Sequence, residues 1–180
     1  MTSINDIYFK SVDHKLAAAH QLYARYRLSF DKDSYIAGQL LIITTKSHAL
    51  SEKMRAMELH SLCTRCANRE KGGCCSDYMA NETDGVLLLI NLLMGNSIAK
   101  QNGGAESCCF LGPTGCILSP KPMFCLNYNC KAITDMEPRK IAELLLTAGA
   151  VLRSQSELES HILNITGIKP MSSTSRIPAH

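Results

Sequence analysis

Nine cysteines stand in this chain of 180 residues, all of them between Cys63 and Cys130. The first group reads Cys63-Thr-Arg-Cys66-Ala-Asn-Arg-Glu-Lys-Gly-Gly-Cys74-Cys75. The second holds Cys108, Cys109, Cys116, Cys125 and Cys130. Such a concentration of thiols can mean disulfides, buried structural thiols or metal thiolates. The N-terminus, Met1-Thr-Ser-Ile-Asn-Asp6, lacks the basic and apolar regions of a secretory signal, so the expected compartment is the cytoplasm. Structural disulfides are rare in that reducing setting, and an odd count fits them poorly. Buried structural thiols belong on periodic apolar faces, whereas most of these stand among Gly, Pro, Asn and Lys. Metal thiolates fit best. Cys63-x-x-Cys66 offers two sulfurs from what the spacing predicts to be a tight turn, and a distant pair can complete a tetrahedron. Gly72-Gly73 before the doublet and Gly115 before Cys116 free the backbone to wrap closely around a centre. The same turns can aim backbone N–H groups at the sulfurs and disperse their charge.

A closed structural zinc site takes four ligands, and an iron–sulfur cluster of the common kind takes four thiolates. Eight or nine cysteines therefore suffice for two such centres, or for one with thiols to spare. Zn2+ is the expected metal and an Fe–S cluster the alternative. Successive side chains diverge along a chain, so Cys74 and Cys75 are expected to serve two neighbouring sites rather than one ion. Which sulfurs share a centre stays open.

The order Cys-x-x-Cys, Cys-Cys doublet, Cys-Phe-Leu, Gly-Cys, Pro-x-x-Cys and a last Cys resembles the bacterial zinc- or iron-chelating domain, the YkgJ-like Cys-cluster family. The likeness covers Cys63 to Cys130, somewhat over a third of the chain. It implies a metal site built from Cys63, Cys66, Cys74, Cys75, Cys109, Cys116, Cys125 and Cys130. Cys109-Phe-Leu and Thr114-Gly-Cys116 match one block of the family, and Lys121-Pro-Met-Phe-Cys125 matches another. The sequence departs from the pattern in four places. The spacer from Cys66 to the doublet is long, Lys121 stands for the common Arg, Leu118 stands for a frequent aromatic, and Cys108 is an extra cysteine.

Other reactive residues give weaker patterns. His60, three residues before Cys63, could face the site, although a helix C-terminal cap is the plainer role. His14, His20, His48 and His161 stand alone on expected helix faces. Glu52, Glu58, Asp77 and Asp84 form no evident carboxylate pair, and no hydrolase, zincin or phosphate-loop motif is present. No catalytic residue can be named, so whether the protein is an enzyme stays open. Arg65, Arg69, Lys71, Lys121 and Lys131 flank the thiols and can offset an anionic metal–thiolate core. Without interleaved exposed aromatics they make a poor nucleic-acid footprint. A formal net charge of +3 implies no polyanion partner, and no apolar run is long enough to span a membrane.

These thiols need a frame. Apolar residues are 46% of the chain and charged residues 19%, the composition of a folded domain. Apolar residues at three- and four-residue steps predict one helix from about Ile4 to Tyr26. Ser29–Asp33 reads as a connection with Asp33 or Ser34 as N-cap, and Tyr35 to about Leu62 as a second helix, with a strand at Leu40–Thr45 as the alternative. Asn81–Met94 opens with a capping signature and continues as a buried helix ending near Gly95-Asn96. Residues 105–133 suit a loop held from inside rather than packed elements. The last helix is capped by Thr134 or Asp135 and has Pro138 in its first turn. Its expected buried stripe runs from Ile141, Leu144 and Leu145 through Ala148, Val151 and Leu152 to Leu158, Ile162 and Ile165. Gly167 stops it. The expected fold is mainly α: a helical bundle over residues 1–168 with two Cys-rich metal-binding loops in region 63–130, and a flexible tail over 169–180. The expected function is metal binding with a structural or partner-binding role, an unknown protein being the partner; the alternative is an Fe–S redox or electron-transfer protein.

Overall fold

The computed structural model describes residues 2–67, 73–101, 107–113, 115–127 and 130–169; for Thr64, Cys66 and Ala67 it gives the backbone path alone. The fold is mainly α. The chain opens with α1 (Ile4–Tyr8), where Ser3 and Asp6 form a reciprocal capping box. Then follow α2 (Val12–Phe30), α3 (Ser34–Ala56), α4 (Leu59–Ala67), α5 (Asp77–Asn81) and α6 (Gly85–Leu93). A two-residue hairpin, β1 (Leu111–Gly112) and β2 (Gly115–Cys116), precedes α7 (Met123–Asn127), α8 (Lys131–Thr134) and the long α9 (Pro138–Thr166).

The expected first helix is two helices. Its apolar rhythm continues through Phe9-Lys10-Ser11, but the backbone turns there, and the Val12 amide donates to the Asn81 side chain at 3.0 Å. A contact from far along the chain thus replaces a helical bond. α2 also runs on through Ser29 and Phe30, and Phe30 is buried. Asp33 caps α3, accepting from the Tyr35 and Ile36 amides. Leu40–Thr45 is helical, with Thr44 and Thr45 hydroxyls bonded back to the carbonyls of Leu40 and Leu41. The expected second helix breaks at Met57-Glu58, where Glu58 takes φ +55 without any glycine to signal it.

α6 is apolar all round and is buried all round, as such a helix must be. Asp84 caps it through the Leu87 amide at 2.7 Å, and Gly95 follows with φ +77. α2 packs on α6, and α3 packs on α9. The links Lys53–Glu143, Lys46–Ser154 and Asp33–His161 show that α3 and α9 run antiparallel. One core surrounds α6, with Ile7, Leu22, Ile43, Leu88, Phe110 and Leu158 among its members. A smaller one joins Leu50, Leu59, Leu126, Ile133, Leu144 and Ala148. Region 105–133 therefore does supply packed elements: Phe110, Leu118, Leu126 and Ile133 are buried, so it is more than a loop held from inside.

Asp135 ends α8 rather than starting α9, and Glu137 stands at the α9 N-cap with Pro138 next. Leu144, Ala148, Val151, Leu158 and Ile162 are buried, but Leu145 turns outward. Gly167 closes α9 with φ +69. The Asn102–Gly104 loop and the tail from Pro170 onward lie outside the described residues. Among the described residues no helix is long and apolar enough to cross a membrane.

Candidate metal centre

The two groups of cysteines meet through the backbone. Ser76 pairs with Ser107 as an antiparallel bridge, and the Cys108 amide donates to the Cys75 carbonyl at 3.0 Å. The doublet is thereby laid alongside the start of the second group. Next to it, Leu111 pairs with Cys116 in the hairpin, and α4 lies against β2. Asn91, fully buried on α6, holds the following segment: it donates to the carbonyls of Leu87 and Pro120 and accepts from the Ser119 amide at 3.0 Å. Gln155 on α9 donates to the Lys121 carbonyl. Two buried amide side chains therefore fix the stretch between Cys116 and Cys125.

The result is a pair of adjoining chambers of about 70 Å³ each. Cys63, Cys75 and Cys125 line both; Cys108 and Cys116 complete the thiol lining of one and Cys74 that of the other. Met54 and Met79 add thioethers to both. His60 and Lys121 line the chamber that holds Cys108 and Cys116. Gly115 makes this approach possible, since it has φ +111 and a Cβ there would come 2.8 Å from His60 Nδ1. His60 stands in the first turn of α4, so it is not a C-terminal cap.

Six of the eight cysteines with described side chains thus line this space. The placement differs from the sequence expectation in particular ways. Cys63 and Cys66 lie three positions apart on α4, not in a tight turn; the Cys66 side chain is outside the description. Positions three apart on a helix are neighbours, so helical geometry serves the same spacing. Cys74 and Cys75 line one chamber together, and Cys75 lines the other as well. Cys108, the extra cysteine, lines a chamber, whereas Cys109 lies outside both, among Lys100, Asp77 and Asp13. Cys130 starts α8 and packs on the smaller core rather than into a chamber. Of the flanking cations, Lys121 lines a chamber, Arg65 and Lys131 are exposed, and Arg69 and Lys71 lie outside the described residues.

Cys63, Cys74, Cys75, Cys108 and Cys116 are half-buried, and Cys125 is exposed as a residue although it lines both chambers. The neighbouring Cys75 thiol holds Cys74 below the ordinary thiol range, and the Cys74 thiol, together with burial, raises Cys75 far above it. Burial pushes Cys108 up to about 11 and Cys125 up to about 12, and raises Cys116 as well. Nearby thiols add to the rise at Cys108 and Cys125. Burial lowers His60, with the Lys121 charge acting in the same direction, which keeps the imidazole neutral. Buried neutral thiols become ligands when a cation displaces their protons. Among the described residues no three His, Cys, Asp or Glu side chains are set as a finished site for one ion. The donor chemistry nevertheless suits a thiophilic metal: thiols, thioethers and a neutral imidazole, with no carboxylate among the described residues that line either chamber. No described cysteine is in a disulfide.

The sequence reading left out Cys108 and the methionines. Cys108 had a signal in its place directly beside Cys109, but adjacency does not say which neighbour faces inward. Compared with models of known families, with curated proteins and with solved structures, the chain matches none.

Proposed function

We propose that this chain is a metal-binding protein of the zinc- or iron-chelating Cys-cluster kind, and that zinc held by thiolates staples the segment from α4 to α8 for a structural or partner-binding role in the cytoplasm. One observation carries the reading: the backbone bridge at Ser76–Ser107 sets Cys63, Cys75, Cys108, Cys116 and Cys125 around a common space. A stable domain has no need to gather thiols there, since apolar side chains of similar size would pack without them. Cys63, Cys74, Cys75 and Cys125 would serve one chamber, and Cys108 and Cys116 would enter the other. Bound metal would supply the positive charge that lets several buried sulfurs ionise together.

An Fe–S cluster is the second reading, favoured by the number of sulfurs, since six exceed the four of one closed zinc site. Metal analysis by mass spectrometry of protein purified without oxygen, with its visible spectrum, tests both. A colourless protein with stoichiometric zinc supports the structural reading. Broad visible absorbance that bleaches with dithionite supports the cluster. Metal-free protein in which every thiol is reactive refutes both.

A further inference from the structure

The chamber that holds Cys74 is also an apolar recess. Leu50 of α3, Leu126 of α7, Ile133 of α8, and Leu144 and Ala148 of α9 form its walls, and all five are buried. Its remaining lining is Met54, Leu59, Met79 and Phe124 with the four thiols. Among the described residues no charged, hydroxyl or amide side chain lines it. A water molecule there would find few of the two to four polar partners it needs. At about 70 Å³ it is half the roughly 150 Å³ that accepts benzene in an engineered apolar cavity. Its capacity is that of a molecule of two or three heavy atoms. Phe124, half exposed on α7, stands at its outer side and marks where such a molecule would pass from solvent.

We propose that this recess binds a small uncharged apolar molecule, of the class of dioxygen, nitric oxide or carbon monoxide, and holds it against the sulfurs of Cys63, Cys75 and Cys125. Delivery of that molecule to a metal rests on the metal-binding reading; occupancy of the recess does not. The proposal follows from shape and chemistry together. Polar or charged ligands would be desolvated without a partner, and larger apolar ones would not fit. An apolar diatomic gains contact with the walls and loses almost no hydration.

Xenon is the probe, because its size and polarisability match the recess. Methyl-labelled protein, as purified and with its metal content measured, is titrated with xenon under pressure and followed by NMR. The methyl signals of Leu50, Leu126, Ile133 and Leu144 are expected to shift saturably, while those of Leu88 and Leu89 at the centre of the other core stay still. Ala148→Leu, which fills the recess, should weaken the response at least several-fold at an unchanged melt. Leu144→Ala, which enlarges the recess, should strengthen it and admit benzene, and it keeps the proposal testable if the filled variant does not fold. Absence of a saturable shift in the natural protein overturns the proposal, as does a response that ignores both variants. Metal present with no xenon response sinks this inference alone; a xenon response in protein that holds no metal sinks the metal reading and leaves the recess as an apolar ligand site.

Discussion

Around α6, Leu88, Leu89 and Ile90 are enclosed by Ile7, Leu22 and Phe110, and the only polar side chain of that helix, Asn91, has its hydrogen bonds made. Around α4 and α7, the corresponding inward positions belong to Cys63, Cys75, Cys116 and Cys125, and open space remains between them. The first region gains stability by excluding water from hydrocarbon. The second has half-buried thiols with weak mutual contacts, and its elements are short: α5 and α7 have five residues each and α8 four. Helices of that length are not stable by themselves. One region is therefore self-sufficient, whereas the other is the one that the proposed metal would complete.

That contrast can be broken or sharpened by substitution, starting with the largest effect. Leu88→Ala removes a fully buried side chain and should cost about 2–5 kcal/mol in denaturant unfolding. The cost should be the same with and without a metal chelator; a chelator-dependent cost would mean the two regions are not separate. Asn91→Ala strands the Ser119 amide and the Pro120 carbonyl between the regions and should cost about 2–3 kcal/mol. Because it frees the stretch between Cys116 and Cys125, it should also lower bound metal, which elemental analysis would register.

Gly115→Ala comes next, at about 1–3 kcal/mol, from backbone strain at φ +111 and contact with His60. In a double-mutant cycle His60→Ala should restore only the contact part, so full rescue would show that the backbone carries no strain. The smallest effect belongs to the end of the bundle away from the thiols. The His161 hydrogen bond, followed by the Ile36 amide, holds the Asp33 carboxyl below its ordinary value of 3.8. A lowered folded-state value means this contribution is whole above about pH 4 and fades as pH falls through the folded-state value. Asp33→Asn should flatten the acid limb of the melting-temperature profile while leaving metal content unchanged.

Legibility in the sequence divides along the same line. The apolar run Val86–Leu93 carried its own helix and burial, although the expected start at Asn81 is the end of α5 and Asp84 is the cap, and Pro138 with Gly167 bracketed α9. Those signals are local. The break at Phe9–Ser11 depends on Asn81, which stands about seventy residues away, and the turn at Glu58 uses a residue that gives no warning of positive φ. At the thiols, the spacing suggested that Cys63 and Cys66 act together but did not say that α4 carries both. It could not tell Cys108 from Cys109, because the choice between adjacent side chains is made by the Ser76–Ser107 bridge. Composition pointed to thiol chemistry, and long-range pairing decides which thiols share a chamber.

The central claim is that the sulfurs gathered at the chambers hold metal and that metal completes the region around them. Native mass spectrometry of the purified chain beside its Cys63→Ser/Cys66→Ser variant, each followed by a melt with and without chelator, addresses it most directly. The account predicts bound metal in whole-number stoichiometry for the natural chain, a melt that drops with chelator, and a variant that has lost both the metal and the chelator response. A natural chain that carries no metal and melts identically with chelator, or a variant that keeps its full metal content, would contradict it.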